Sequence, residues 1–186
     1  MAYHSDPAQV VIEAIDEYLL MAEHGIGYEK PGGGILGYPT ALLLLSVIDI
    51  LGSYSVATKE HFLVLREPCF GLPLKVPQIK QIEHWYRNLL AHNGFIALGT
   101  LLRPDDHGDP FELDAHGQPT ILRVKPLFRL CKQAWERFDR SLLDPARHLK
   151  PNHVPSAPLD LRGSPTSEIA ASSGAYIDPA RFVRKM

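Results

Sequence analysis

Residues 38–55 read Tyr38-Pro39-Thr40-Ala41-Leu42-Leu43-Leu44-Leu45-Ser46-Val47-Ile48-Asp49-Ile50-Leu51-Gly52-Ser53-Tyr54-Ser55. The stretch is long enough for a helix and apolar almost all round. Such a helix needs neighbours on several sides, which predicts the central, most buried element of a helical bundle. Its core, Ala41 to Leu51, is interrupted by Ser46 and Asp49 and is too short to cross a bilayer, so no membrane partner is expected. Ser46, Asp49 and Ser53 form the only polar stripe. An acid on so apolar a helix calls for a partner, and the expected one is Arg87 or a polar group near it.

Working outward, Ser5 or Asp6 caps a first helix with Pro7 at its first position. Val10, Val11, Ala14, Ile15, Tyr18 and Ala22 follow at helical spacing, and Gly25 and Gly27 are read as its stop. Lys30 to Gly34 is a glycine-rich connector. A short helix is expected over Lys59 to Arg66. Another starts near Pro77 and ends at His92-Asn93-Gly94, with Gly94 suited to a left-handed C-cap. Phe95 to Leu102 reads as extended. Phe111–Leu113 and Thr120–Val124 flank the turn Asp114 to Pro119, a hairpin pattern. A last helix is expected from Pro126 to about Leu143, with Leu127, Leu130, Cys131, Ala134, Trp135, Phe138 and Leu142 on its core face.

The expected fold is therefore mainly α: an up-and-down bundle of four to five helices over residues 1–143, with a small β-hairpin within about 95–124. Residues 144–186 are rich in proline and basic, and an irregular tail anchored by scattered apolar residues is expected there. The bundle itself carries the net negative charge. The whole chain, 186 residues with formal charge −2, does not suit sequence-blind coating of nucleic acid, but leaves room for a small basic cleft. Cys69 and Cys131 form no CxxC pair and read as reduced thiols, and the N-terminus shows no secretion signal. Both point to the cytoplasm.

Most chemical motifs are missing. The sequence has no Walker loop, no GxSxG elbow and no HExxH or CxxC-based zinc spacing, so neither a cofactor nor a metal is expected. Asp105-Asp106-His107-Gly108-Asp109 lacks the rest of a calcium loop and reads as a polar turn. The informative segment is the helix that ends at Gly94. Lys80, His84, Arg87, Asn88 and His92 occupy its polar side, with 84, 88 and 92 spaced by four along one stripe. A guanidinium, an amide and an imidazole together suit a phosphodiester: arginine binds the phosphate and histidine moves a proton near neutral pH. The plainer reading of His92 is a last-turn histidine that bonds free helix carbonyls.

Arg87-Asn88 followed by His92 resembles the motif of the HEPN superfamily: an arginine, often with a polar residue after it, and a histidine separated from the arginine by four to six residues. The resemblance covers roughly residues 7–143. It implies an up-and-down helical bundle, dimerised so that two motifs face one cleft. In many members it implies metal-independent cleavage of RNA to a 2′,3′-cyclic phosphate and a 5′-hydroxyl. On that footing His92 is the general acid/base, Arg87 the phosphate clamp, and Asn88 a positioning residue, with Asp49, His84 and Lys80 in support. Other members are non-catalytic modules that dimerise or bind a protein or nucleotide. Geometry also favours a pair of chains. Five residues along an ideal helix turn about 500° and rise roughly 7.5 Å, so one helix does not easily aim Arg87 and His92 at one phosphate.

Overall fold

A computed structural model describes residues 6–144. The tail beyond, where an irregular anchored arm was expected, lies outside the described residues. Within them the fold is mainly helical with a small sheet. Helix α1 (Pro7–Gly27) opens on Asp6, whose carboxylate accepts the Ala8 N–H at 2.9 Å. Helix α2 (Gly37–Ser55) follows, then a 3-10 turn (His61–Arg66). Residues 76–93 form one rod in three parts: α3 (Val76–Ile82), a π-helical segment (Glu83–Asn88) and α4 (Leu89–Asn93). Strands β1 (Leu101–Arg103), β2 (Phe111–Leu113) and β3 (Pro119–Arg123) lead into α5 (Val124–Arg137) and a final 3-10 turn (Arg140–Leu142).

Helix α2 is the core. Ala41, Leu44, Leu45, Val47, Ile48 and Leu51 are all buried, and α1, the 3-10 turn, the π segment and α5 pack around it. By length and composition alone α2 would also suit a membrane span. In this fold 50 % of that stretch is buried, against α1, the 3-10 turn, the π segment and α5. The connector between α1 and α2 closes with the Leu36 N–H on the Gly25 carbonyl at 3.2 Å. Of the two glycines read as its stop, Gly27 is the last residue of α1 and Gly25 lies just inside it. A β-carbon there would fall 2.3 Å from Thr40 Oγ1, so the glycine lets the two helices meet. Helix α5 adds a third layer through Cys131, whose thiol faces the Leu44 carbonyl, and through Trp135, whose Nε1–H donates to Asp16 at 2.7 Å.

The region after the rod departs from a simple hairpin. Gly94 takes the left-handed conformation (φ 73°) and its N–H closes α4 on the Leu90 carbonyl at 3.2 Å, as expected of a glycine C-cap. Residues 95–100 are then a loop rather than a strand, and only Leu101–Arg103 pairs. The hairpin β2–β3 is antiparallel, while β1 joins the other edge of β3 in parallel, giving the order β1-β3-β2. The hairpin turn is built by Asp114, whose carboxylate accepts the N–H groups of His116 and Gln118. Asp105 and Asp106, two of the three acids of the calcium-like run, are paired with Arg123 and Arg129. Helix α5 stops at Arg137 instead of reaching Leu143. Phe138 is extended, and the Asp139 carboxylate takes the Ser141 N–H at 3.0 Å, a local bond that competes with helix continuation.

Candidate functional site

Two ion pairs mark the direction of the rod against α2. Lys80 meets Glu60, beyond the C-terminal end of α2, at 2.5 Å, and Arg87 meets Asp49, further back along α2, at 2.6 Å. The rod therefore runs antiparallel to α2, and His92 lies beyond Arg87 on the side away from Lys80. The rod is also tied to the hairpin. The buried Tyr86 hydroxyl donates to the Pro119 carbonyl at 2.9 Å, and the Gln78 side-chain amide donates to the Gly117 carbonyl at 3.0 Å.

Asp49 is the hub of the site. One carboxylate oxygen accepts from the Arg87 guanidinium at 2.6 Å and the other lies 2.9 Å from His61 Nδ1. A second guanidinium nitrogen of Arg87 donates to Asn88 Oδ1 at 3.1 Å. The side chains of Asp49, Arg87 and His61 are 23, 30 and 34 % exposed, so each reaches solvent yet is packed on one side. Arg87 is held rather than loose, with two of its guanidinium nitrogens committed to Asp49 and Asn88. The expected link from Asp49 to Arg87 is thus a direct contact.

His61 was not singled out in the sequence. It lies in a different element from the motif, and no spacing rule connects residues 49, 61 and 87. The only local signal is Gly52, a glycine in the middle of an otherwise strong helix. A β-carbon at Gly52 would sit 2.0 Å from the His61 carbonyl oxygen, so its absence lets the 3-10 turn rest directly on α2 and brings His61 beside Asp49.

The π segment changes the stripe read from the sequence. In a wide turn the backbone hydrogen bond joins residues five apart rather than four, which shifts the bearing of the side chains along it, and such turns sit frequently at functional sites. The Leu89 N–H reaches back to the His84 carbonyl, and the Trp85 carbonyl accepts the Ala97 N–H at 3.0 Å, folding the following loop against the rod. His84 is exposed and takes no part in the cluster. Lys80 is committed to Glu60 on the surface, a pairing of little energetic weight. His92 is exposed in the last turn of α4 and makes no side-chain hydrogen bond among the described residues. The helix end is closed by Gly94 instead, so His92 is not consumed as a cap. Arg87 and His92 are not joined by a hydrogen bond within the protomer.

Glu83 completes the electrostatics. Burial, and then the neighbouring Asp49 charge, hold its carboxyl above the usual carboxylate range, against the opposing pull of Arg87 and His61. A carboxyl raised on folding contributes stability at low pH that is lost as pH rises through the folded value. Glu83→Gln is therefore expected to raise the melting temperature at neutral pH, with the gain fading as both proteins are taken to acid. A gain of the same size at acid pH would show that charge is not its cause.

Among the described residues no cluster of three or more His, Cys, Asp or Glu side chains is placed to hold a metal ion. Neither Arg87 nor His92 lines either of two clefts of about 570 and 610 Å³. One lies between Leu72–Leu74 and the β2 region, the other between the α1–α2 connector and residues 95–104. No protein-family model matches the chain, and neither the curated proteins nor the solved structures contain a match.

Proposed function

We propose that this chain is a ribonuclease of HEPN type that acts as a homodimer. The observation that carries the reading is Arg87, immobilised by Asp49 and Asn88 and followed one turn later by an exposed, uncommitted His92. An arginine already oriented needs little reorganisation to clamp a phosphodiester and offset charge in the transition state. His92 supplies proton transfer, and Asn88 fixes the guanidinium plane. Cleavage proceeds by attack of the 2′-hydroxyl on the adjacent phosphate.

The residues after His92 support the dimer. Phe95, Leu98 and Leu101 are large apolar side chains exposed to 48, 98 and 51 %, close behind the end of the motif helix. A two-fold contact there would bury apolar surface and set each motif opposite its copy, closing the gap that one helix leaves between Arg87 and His92. The cytoplasm suits the two free thiols, both of which burial pushes up and so makes less reactive.

The second reading is a non-catalytic HEPN-like module that binds a protein or nucleotide. It is favoured by the ion pair that already occupies part of Arg87 and by the acidic character of the bundle. One assay separates the two. The full chain is incubated with mixed RNA in EDTA, beside His92→Ala, over a range of protein concentrations. The ribonuclease reading expects products ending in 2′,3′-cyclic phosphate and 5′-hydroxyl, none from the variant, and a specific rate that falls on dilution as the dimer dissociates. Intact RNA at every concentration, or equal cleavage by the variant, would leave the binding module as the better account.

A further inference from the structure

Transesterification of RNA moves two protons: one leaves the 2′-hydroxyl and one joins the 5′-oxygen. The motif provides a single imidazole per chain. The fold supplies another. His61 Nδ1 is bound to Asp49 Oδ1 at 2.9 Å, and its side chain is one-third exposed. A carboxylate that accepts from Nδ1–H fixes the imidazole tautomer with Nε2 as an unprotonated acceptor. The other oxygen of that carboxylate holds Arg87 at 2.6 Å. One short side chain thus ties an acceptor imidazole to the guanidinium, while His92 follows Arg87 on the far side, away from Glu60 and Lys80. A phosphate on Arg87 would then have His61 towards one end of the rod and His92 towards the other.

We propose that His61 is the proton acceptor for the 2′-hydroxyl in this site, with Asp49 as its positioning residue and His92 as the proton donor. The proposal rests on the ribonuclease reading of the same site. In the step, the 2′-oxygen forms a bond to phosphorus as the phosphorus–5′-oxygen bond breaks. The 2′-hydroxyl proton passes to His61 Nε2, and the proton on the His92 imidazolium passes to the departing 5′-oxygen. The cyclic phosphate keeps its single negative charge, and exchange with water resets both rings. The charges facing His61 are Asp49 from α2, Glu60 beside it, Lys80 from α3, and Glu83 and Arg87 from the π segment.

The test is the cleavage rate of the full chain across pH for the wild type, His61→Ala, His61→Gln and His92→Ala, with circular dichroism on each. His61→Gln can still donate to Asp49 but cannot take a proton, so it separates support from catalysis. Both His61 variants are expected to lose about 10²–10⁴-fold in rate, the usual contribution of a general acid or base. They should also lose the acidic limb of the wild-type profile, and added imidazole should restore part of the rate to His61→Ala. An active His61→Gln that keeps the acidic limb, beside a dead His92→Ala, would overturn the role of His61 and leave the ribonuclease standing. A wild type that leaves RNA intact would remove the ribonuclease reading and this role with it.

Discussion

Replacing Gly52 with alanine is expected to destabilise the protein by about 1–3 kcal/mol, the usual cost of overpacking, and valine there should cost more. The expectation runs against local propensity, since alanine inside a helix is favoured over glycine by about 1 kcal/mol. What reverses the sign is the backbone of the next element. The added β-carbon would lie 2.0 Å from the His61 carbonyl oxygen, 2.6 Å from its carbon and 2.9 Å from its Cα. None of these is the free end of a flexible side chain, so relief requires moving the whole 3-10 turn. Phe62, Val64 and Leu65 are buried on that turn and would move with it. Against a domain's total stability of only about 5–15 kcal/mol that loss is a large share, and Gly52→Val should melt at a clearly lower temperature than Gly52→Ala. Urea titration checks this through a lower midpoint at an unchanged slope. A Gly52→Ala protein as stable as the wild type would mean that the 3-10 turn yields to the added methyl at no cost.

Asp49→Ala should cut the proposed RNA cleavage by about 100-fold, the penalty expected when a reacting group is misplaced by about 1 Å. The carboxylate is the shared anchor of Arg87 and His61, at 2.6 and 2.9 Å, and its loss frees both at once. Arg87 would keep only its bond to the adjacent Asn88, which does not fix it relative to α2. Because the groups are partly exposed, water can replace the lost carboxylate. The stability loss should be about 1 kcal/mol, below the range for a hydrogen bond between buried charged groups. Asp49→Asn retains the shape and an acceptor but not the charge, and should fall between the two in stability. The fall should appear in kcat rather than KM, because the anchor aligns the reacting groups more than it binds RNA. A double-mutant cycle should show that Asp49→Ala costs less on an Arg87→Ala background than on the wild type, the remainder being its hold on His61. Full additivity in that cycle would mean that Asp49 and Arg87 act separately.

The bundle was readable because its signals are local. Asp6-Pro7 caps a helix within a few residues, Gly94 closes one through its own left-handed backbone, and Asp114 builds its turn from the next four residues. The apolar run from Ala41 to Leu51 required burial on several sides wherever it was placed. From the same logic, Asp49 on that helix needed a partner, and the polar side of the rod offered Arg87.

What the sequence by itself determined is thus the helices, the turn and the pairing of the Arg87-Asn88-His92 motif with an acid. The tertiary structure alone decided the rest. It set the parallel pairing of β1 with β3, the wide turn at Glu83–Asn88, the role of Gly25 as a packing contact, and the arrival of His61 at Asp49. Each depends on atoms brought together from separate elements. A glycine that ends a helix and a glycine that admits a neighbouring backbone are identical in sequence, and only the neighbour's position, fixed by packing of the whole core, tells them apart.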